Sequence, residues 1–273
     1  MSPLEFCAYL ETLALKNISP ATIANKCSQI RQWINNMDGS TVGIYHKSVK
    51  RWLEAINKTT TYQSRPKDPV PVSIVKQVVN GFKKDLYGWQ MRSAILLIAY
   101  GGYMQGEVMP HTPDSFNHEC HLTRGDVLLF DDAVKVTIKF GKNYSKFNQG
   151  RVSVFYKNEN PEYCVVNAVS KLYSLQPTVS PQDPMFKDPV TNLSLPLYTL
   201  RKEWEQAIRA LGQDPVQYSL HSIRKTTMSL AYYEGVQEHD IRQYGAWQTN
   251  THRTYIKTRA GLAVNAAIRK HYK

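Results

Sequence analysis

Apolar residues recur at helical spacing through the first quarter of the chain. Four of them, separated by four, three and four positions, form one stripe along a predicted helix: Ile23, Cys27, Ile30 and Ile34. Serine–proline pairs at residues 2–3 and 19–20 mark helix starts, because serine caps a helix and proline fits its first turn. A third amphipathic helix is predicted from about Ile44 to Ile56. Together these segments predict a small helical bundle.

Basic residues lie off the apolar stripes of these predicted helices. They are Lys26 and Arg31 in the second helix and Lys47, Lys50 and Arg51 in the third. Such a face can contact DNA phosphates, and it can equally be an ordinary solvated surface, so the pattern alone leaves both interpretations open.

The segment from Thr59 to Val72 is polar, contains three prolines and shows no periodicity. It predicts a linker, since prolines and polar residues favour neither a helix nor a strand here. We therefore expect two domains, residues 1–65 and residues 66–273.

The second part combines helices with a few strands. A buried helix is predicted from Gln90 to Tyr103, because its centre is apolar on every side. Alternating apolar and polar residues predict strands at 126–130, 133–140 and 151–156, the last two joined as a hairpin by residues 141–150. Residues 161–211 are expected to form helices separated by a polar loop. The predicted fold class is α+β, mainly helical, with a small antiparallel sheet.

Charge and cysteine content narrow the possible partners. The 273 residues include 34 Lys and Arg against 22 Asp and Glu, a formal net charge of +12. Such an excess is typical of proteins that bind nucleic acids, although basic surfaces also serve anionic membranes or solubility. The four cysteines are scattered without metal-ligand spacing, which predicts no structural metal and a reducing compartment. No apolar run is long enough to cross a bilayer, so we expect a soluble intracellular protein.

Candidate chemistry is concentrated between Ser219 and Tyr255. His221 and Arg224 are three positions apart and project from one helix face, so they can hold one anion together. A second short helix is predicted to end at Gly245, followed by Trp247 and then Tyr255, ten residues after the glycine. Each residue alone has an ordinary structural explanation as a hydrogen-bonding, ion-pairing or packing group. The joint spacing favours a functional one.

The pattern H-x-x-R, then G-x-W, then a tyrosine resembles the tyrosine recombinases. The resemblance implies that Tyr255 attacks a DNA phosphate to form a 3′-phosphotyrosyl link, that Arg224 binds that phosphate and that His221 acts as clamp or base. It further implies that Lys142, in the hairpin loop, protonates the leaving 5′-hydroxyl. The expected His or Trp position after the glycine holds Ala246 here, so Trp247 would do the packing one residue later. No metal and no cofactor are implied, and a type IB topoisomerase fits the length and spacing less well.

One position departs from the family pattern in a way that affects the chemistry. In the family, a pattern like G-x-x-R-x-S-E supplies a second phosphate-binding arginine, and the matching residue here is Met104. A thioether cannot replace the bidentate hydrogen bonds of a guanidinium. Gln105 could lend a neutral donor, and Glu107 matches the family's supporting acid. Two hypotheses therefore stay open: a working recombinase, and a recombinase-derived DNA-binding protein that cleaves slowly or not at all.

Other segments extend the resemblance. Ser19-Pro20-x-Thr22-Ile23 is similar to the family's N-terminal core-binding domain, which clamps duplex DNA, and Lys146 in the hairpin loop is a further candidate DNA contact. The string His121 to Asp126 resembles recombinases of eukaryotic DIRS and Crypton mobile elements, which implies a nuclear location. The C-terminal helix is expected to support self-association on DNA as a dimer or tetramer, or to contact phosphates.

Overall fold

The computed structural model describes residues 2–16, 18–36, 45–60, 67–139, 150–177, 180–247, 250 and 253. The chain divides into two compact units, Met1–Pro66 and Lys67–Lys273. Among the described segments, no helix is long and apolar enough to cross a membrane.

The first unit contains three helices around one small core. They are α1 (Pro3–Leu15), α2 (Pro20–Asn36) and α3 (Lys47–Thr59). Ser2 caps α1 as predicted, because its side chain accepts from the Glu5 backbone N–H while the Glu5 carboxylate accepts from Ser2 N at 2.7 Å. The predicted stripe of α2 faces this core, where Ile23 and Cys27 are fully buried beside Phe6 and Leu10 of α1.

The second unit is built around one largely buried helix. Its helices are α4 (Val72–Gly81), α5 (Leu86–Gly101), α6 (Gln105–Val108), α7 (Val165–Leu175), α8 (Leu197–Ala210), α9 (Leu220–Tyr233) and α10 (Glu238–Tyr244). The predicted buried helix is α5, where twelve residues are buried, among them the whole run from Gly88 to Ile98. It ends at Gly102, whose φ of 56° turns the chain sharply toward α6.

A three-stranded antiparallel sheet covers one side of the second unit. Its strands β1 (Val127–Leu129), β2 (Ala133–Ile138) and β3 (Arg151–Tyr156) lie in sequential order. Val134 and Val136 of β2 point into the core and pair with Phe155 and Ser153 of β3. The alternation therefore placed the three strands correctly, and the mainly helical α+β prediction is confirmed.

Candidate active site

Both candidate phosphate-binding residues of the H-x-x-R pattern lie in the first turns of α9. Ser219 is its N-cap residue, as predicted, with extended backbone at φ −72° and ψ 163°. The helix ends in a Schellman motif, where Gly235 at φ 84° donates to Tyr232 O and Val236 donates to Ala231 O. Ser219 and the glycine thus mark the two ends of the helix that carries His221 and Arg224.

Arg224 joins the ends of two other helices. Its side chain is buried, and Nη1 donates to Gly102 O at the end of α5 while Nη2 donates to Gly245 O at the end of α10. The Trp247 ring covers the guanidinium, with its centroid 4.4 Å from Cζ. The sequence linked these residues only by spacing, whereas the structure brings them into direct contact.

The turn after α10 explains why glycine stands at position 245. Gly245 has an ordinary φ of −82°, and the left-handed φ of 54° falls on Ala246. A Cβ on Gly245 would come within 1.8 Å of the Trp247 ring. The glycine is therefore required by the close approach of the indole rather than by its own backbone conformation.

Met104 and Glu107 lie at the start of the short helix α6. Glu107 Oε2 accepts from Met104 N at 2.7 Å, which holds the turn between Gly102 and α6. Glu107 is 4% exposed, and burial raises the pKa of its carboxyl while Arg151, the Met104 N–H and Arg224 act in the opposite direction. The supporting acid expected from the resemblance thus lies in the electrostatic field of Arg224.

Arg151, the first residue of β3, is a member of this cluster that the sequence interpretation missed. Its Nη2 lies 3.6 Å from Glu107 Oε2, and Nη1 donates to Tyr244 O at the last residue of α10. The Tyr103 ring centroid is 4.4 Å from its Cζ. The alternating pattern of this strand does not indicate a functional role for Arg151, since the partners of the side chain are distant in sequence.

His221 lines a cavity of about 500 Å³ on the surface of the second unit. Met104, Gln105 and the first turn of α9 form part of the same wall. Burial lowers the pKa of His221 to about 4, with further lowering by Arg224, Lys225 and Lys67. His221 is therefore a neutral imidazole at neutral pH in the free protein, able to donate one hydrogen bond and accept another.

The predicted basic face of the first unit is only partly exposed. Lys47, Lys50 and Arg51 of α3 are exposed, and Lys50 lies 4.0 Å from Glu54 in a solvated pair. Arg31 was expected off the apolar stripe, but it is half-buried with its Cζ 4.9 Å from the Tyr45 ring centroid, and Lys26 is also half-buried. The basic side chains of α3 are thus open to solvent and those of α2 are partly covered, while phosphate contact by either helix stays a prediction.

Three predicted site residues lie outside the described residues: Tyr255, Lys142 and Lys146. In the part of the chain that is described, no group of three or more His, Cys, Asp or Glu side chains could hold a metal ion.

Comparison with known proteins identifies the fold. No protein-family model matches the sequence, and no curated protein matches it. The XerH site-specific recombinase bound to palindromic difH substrate is similar in structure, with a TM-score of 0.61 and 13% identity over 98% of this chain and 72% of that one. The Tn1549 transposon integrase in complex with circular intermediate DNA has a TM-score of 0.58 and 12% identity, over 93% of this chain and 80% of that one. A lambda integrase dimer bound to a COC′ core site has a TM-score of 0.57 and 12% identity, over 94% of this chain and 64% of that one. The predicted tyrosine-recombinase fold is thus confirmed.

Proposed function

We propose that this chain is a site-specific DNA recombinase that cleaves and rejoins duplex DNA through a 3′-phosphotyrosyl intermediate. Tyr255 is the nucleophile, Arg224 and His221 bind the phosphate, Lys142 is the general acid, and Trp247 packs against Arg224. Glu107 supports the arginine.

The chemistry is a pair of transesterifications. The Tyr255 hydroxyl attacks the phosphorus, the bond to the 5′-oxygen breaks, and Lys142 gives a proton to that leaving oxygen. A 5′-hydroxyl then attacks the phosphotyrosine and releases the tyrosine. Because one phosphodiester bond is exchanged for another, the reaction needs neither an energy source nor a cofactor.

The observation that carries this proposal is the environment of Arg224. One guanidinium is fixed by carbonyls at the ends of α5 and α10 and by the Trp247 ring. The residues of the H-x-x-R and G-x-W patterns therefore meet in space, within a fold shared with recombinases solved on DNA. Preorganised charge beside a reacting phosphate is the main requirement of such a reaction.

The same proposal includes the roles of the two domains, the DNA substrate, self-association and the origin of the protein. Residues 1–65 act as a DNA clamp and residues 66–273 as the catalytic domain, with duplex DNA as substrate and self-association on DNA through the C-terminal helix. The similarity to a lambda integrase dimer on its core site supports assembly of this kind. The string His121 to Asp126 motivates an origin in a eukaryotic mobile element of the DIRS or Crypton kind, and with it a nuclear location.

A second candidate function rests on Met104. Without an arginine at this position, the protein could bind and clamp DNA while exchanging strands slowly or not at all. Loss of one charged donor from a site of this kind reduces the rate about a hundredfold or more.

An adduct experiment tests the proposal. Targets are selected from a genomic library by binding, each is prepared as a duplex nicked near the suspected site, and protein–DNA adducts that resist denaturation are measured. We expect an adduct with the wild type and none with Tyr255→Phe. Tyr198→Phe, an exposed tyrosine on α8, is the matched control and retains the adduct.

The Met104→Arg variant separates the two candidate functions. Tight binding without an adduct in the wild type, converted to cleavage by Met104→Arg, identifies a DNA-binding descendant of a recombinase. An adduct that persists in Tyr255→Phe contradicts the assigned nucleophile.

A further inference from the structure

The cavity beside His221 contains more positive charge than the motif residues supply. It is lined by side chains from α6, α8, α9, the segment after α6 and the segment before α4: Gln105, Arg201, Glu205, His221, His111 and Lys67. The acid of this set, Glu205, lies 3.3 Å from Arg209 Nη2 on the same helix. The N-terminal end of the 14-residue helix α9 also borders the cavity and adds partial positive charge. The cavity is therefore suited to an anion.

Arg201 lines this cavity together with Met104. Its Nε donates to Gln105 Oε1 at 2.9 Å, a contact between residues 96 positions apart. Within the described segments neither Nη atom donates a hydrogen bond, so the fork of the guanidinium is available to a ligand. Gln105 immediately follows Met104, so the anchored arginine lies beside the position where the charge is missing.

The other two arginines near Met104 cannot replace the missing one. Arg151 is enclosed by Tyr103, Tyr244 O and Glu107, and its side chain is 9% exposed. Arg224 donates to Gly102 O and Gly245 O, and it is already assigned to the phosphate in the proposed function. Arg151 would have to break its contacts to take the place at Met104, and Arg224 cannot fill both positions.

We propose that Arg201 supplies, from α8, the phosphate-binding charge that Met104 lacks, with Gln105 fixing the guanidinium toward the scissile phosphate. This inference rests on the proposed function and names a further catalytic residue for it. The arginine is provided by a different helix, so the site has two guanidinium groups, Arg224 and Arg201, despite the thioether at position 104.

Titration with inorganic phosphate tests the anion site without any DNA target. The imidazole signals of His221 and His111 are followed by NMR in the wild type, Arg201→Ala and Lys202→Ala. Lys202 is the matched control, since it is an exposed basic residue on the same helix outside the cavity. We expect saturable shifts in the wild type, a dissociation constant weakened about tenfold or more in Arg201→Ala, and no change in Lys202→Ala. Equal affinities in all three proteins, or no saturable shift in the wild type, would overturn the proposal.

Cleavage of a substrate with an uncharged methylphosphonate at the scissile position tests the catalytic role. If Arg201 neutralises the phosphate, Arg201→Ala slows adduct formation about a hundredfold on the phosphodiester, and the loss largely disappears on the methylphosphonate. Adding Met104→Arg to the Arg201→Ala variant is expected to restore the rate of adduct formation on the phosphodiester. Equal losses on both substrates would show a structural role and refute the assignment.

The two experiments separate the two proposals. A wild type that forms no adduct on any selected target contradicts the proposed function, whereas the phosphate titration decides on the Arg201 anion site by itself.

Discussion

Position 245 has no room for a side chain, although its backbone conformation is one that any residue can adopt. We predict that Gly245→Ala destabilises the protein by about 2 kcal/mol, because its Cβ would overlap the Trp247 ring, 1.8 Å away, and force the indole off Arg224. Urea denaturation measures the change. Gly81→Ala is the matched control: it ends α4 with nothing within 4 Å of the added carbon, so a change below about 0.5 kcal/mol is expected. Equal effects at both positions would contradict the packing argument.

His221 gives the protein a defined dependence on acidity. Its pKa of about 4 is lower than the ordinary 6.5, so between these values the unfolded chain binds a proton that the folded chain does not. The contribution of His221 to the free energy of unfolding is therefore complete above pH 6.5 and is lost as the pH is lowered toward 4, by about 3 kcal/mol. Denaturation midpoints across this range measure the slope.

Substitution of the histidine isolates its share of that slope. His221→Gln is expected to flatten the profile between pH 6.5 and 4, whereas His239→Gln, at a side chain that is 72% exposed, leaves it unchanged. Parallel profiles for the wild type and His221→Gln would show that this imidazole is not buried in the folded state.

At the scale of elements, Arg151 connects β3 to α6 and α10 through Glu107 and Tyr244 O. We predict that Arg151→Met destabilises the protein by about 3 kcal/mol, because Glu107 would remain buried without its nearest counter-charge, 3.6 Å away. The double variant with Glu107→Gln should recover part of this loss in chemical denaturation. Lys50→Met breaks an exposed pair with Glu54 and should cost below about 0.5 kcal/mol. Additive effects of Arg151→Met and Glu107→Gln would rule out the coupling.

The same elements show how far the sequence could predict the structure. Caps at Ser2 and Ser219, the apolar run in α5 and the alternation in β2 are local signals, and each placed its element within a few residues. The contacts of Arg151 with Tyr244 and of Arg201 with Gln105 join residues more than 90 positions apart. No local sequence pattern predicts contacts between such distant residues. The sequence therefore identified Met104 as a departure from the family's arginine, but it did not indicate which side chain lies beside it.

At the scale of the whole molecule, the net charge of +12 makes salt the sharpest probe of DNA binding. Each phosphate contact that is removed should make the slope of log affinity against log salt shallower by about 0.9. Lys47, Lys50 and Arg51 lie exposed on α3. We predict that changing all three to glutamine reduces the slope by about 2 to 3 on a duplex of arbitrary sequence, measured by fluorescence anisotropy.

A charge-matched variant of the second unit distinguishes a DNA-binding face from a general loss of charge. Lys83, Lys157 and Lys171 are exposed and line no part of the cavity beside His221. If α3 contacts the duplex, changing these three lysines to glutamine leaves the slope nearly intact while the α3 variant loses it. If both triple variants lose affinity and slope equally, binding follows overall charge, and the basic residues of α3 are an ordinary solvated surface.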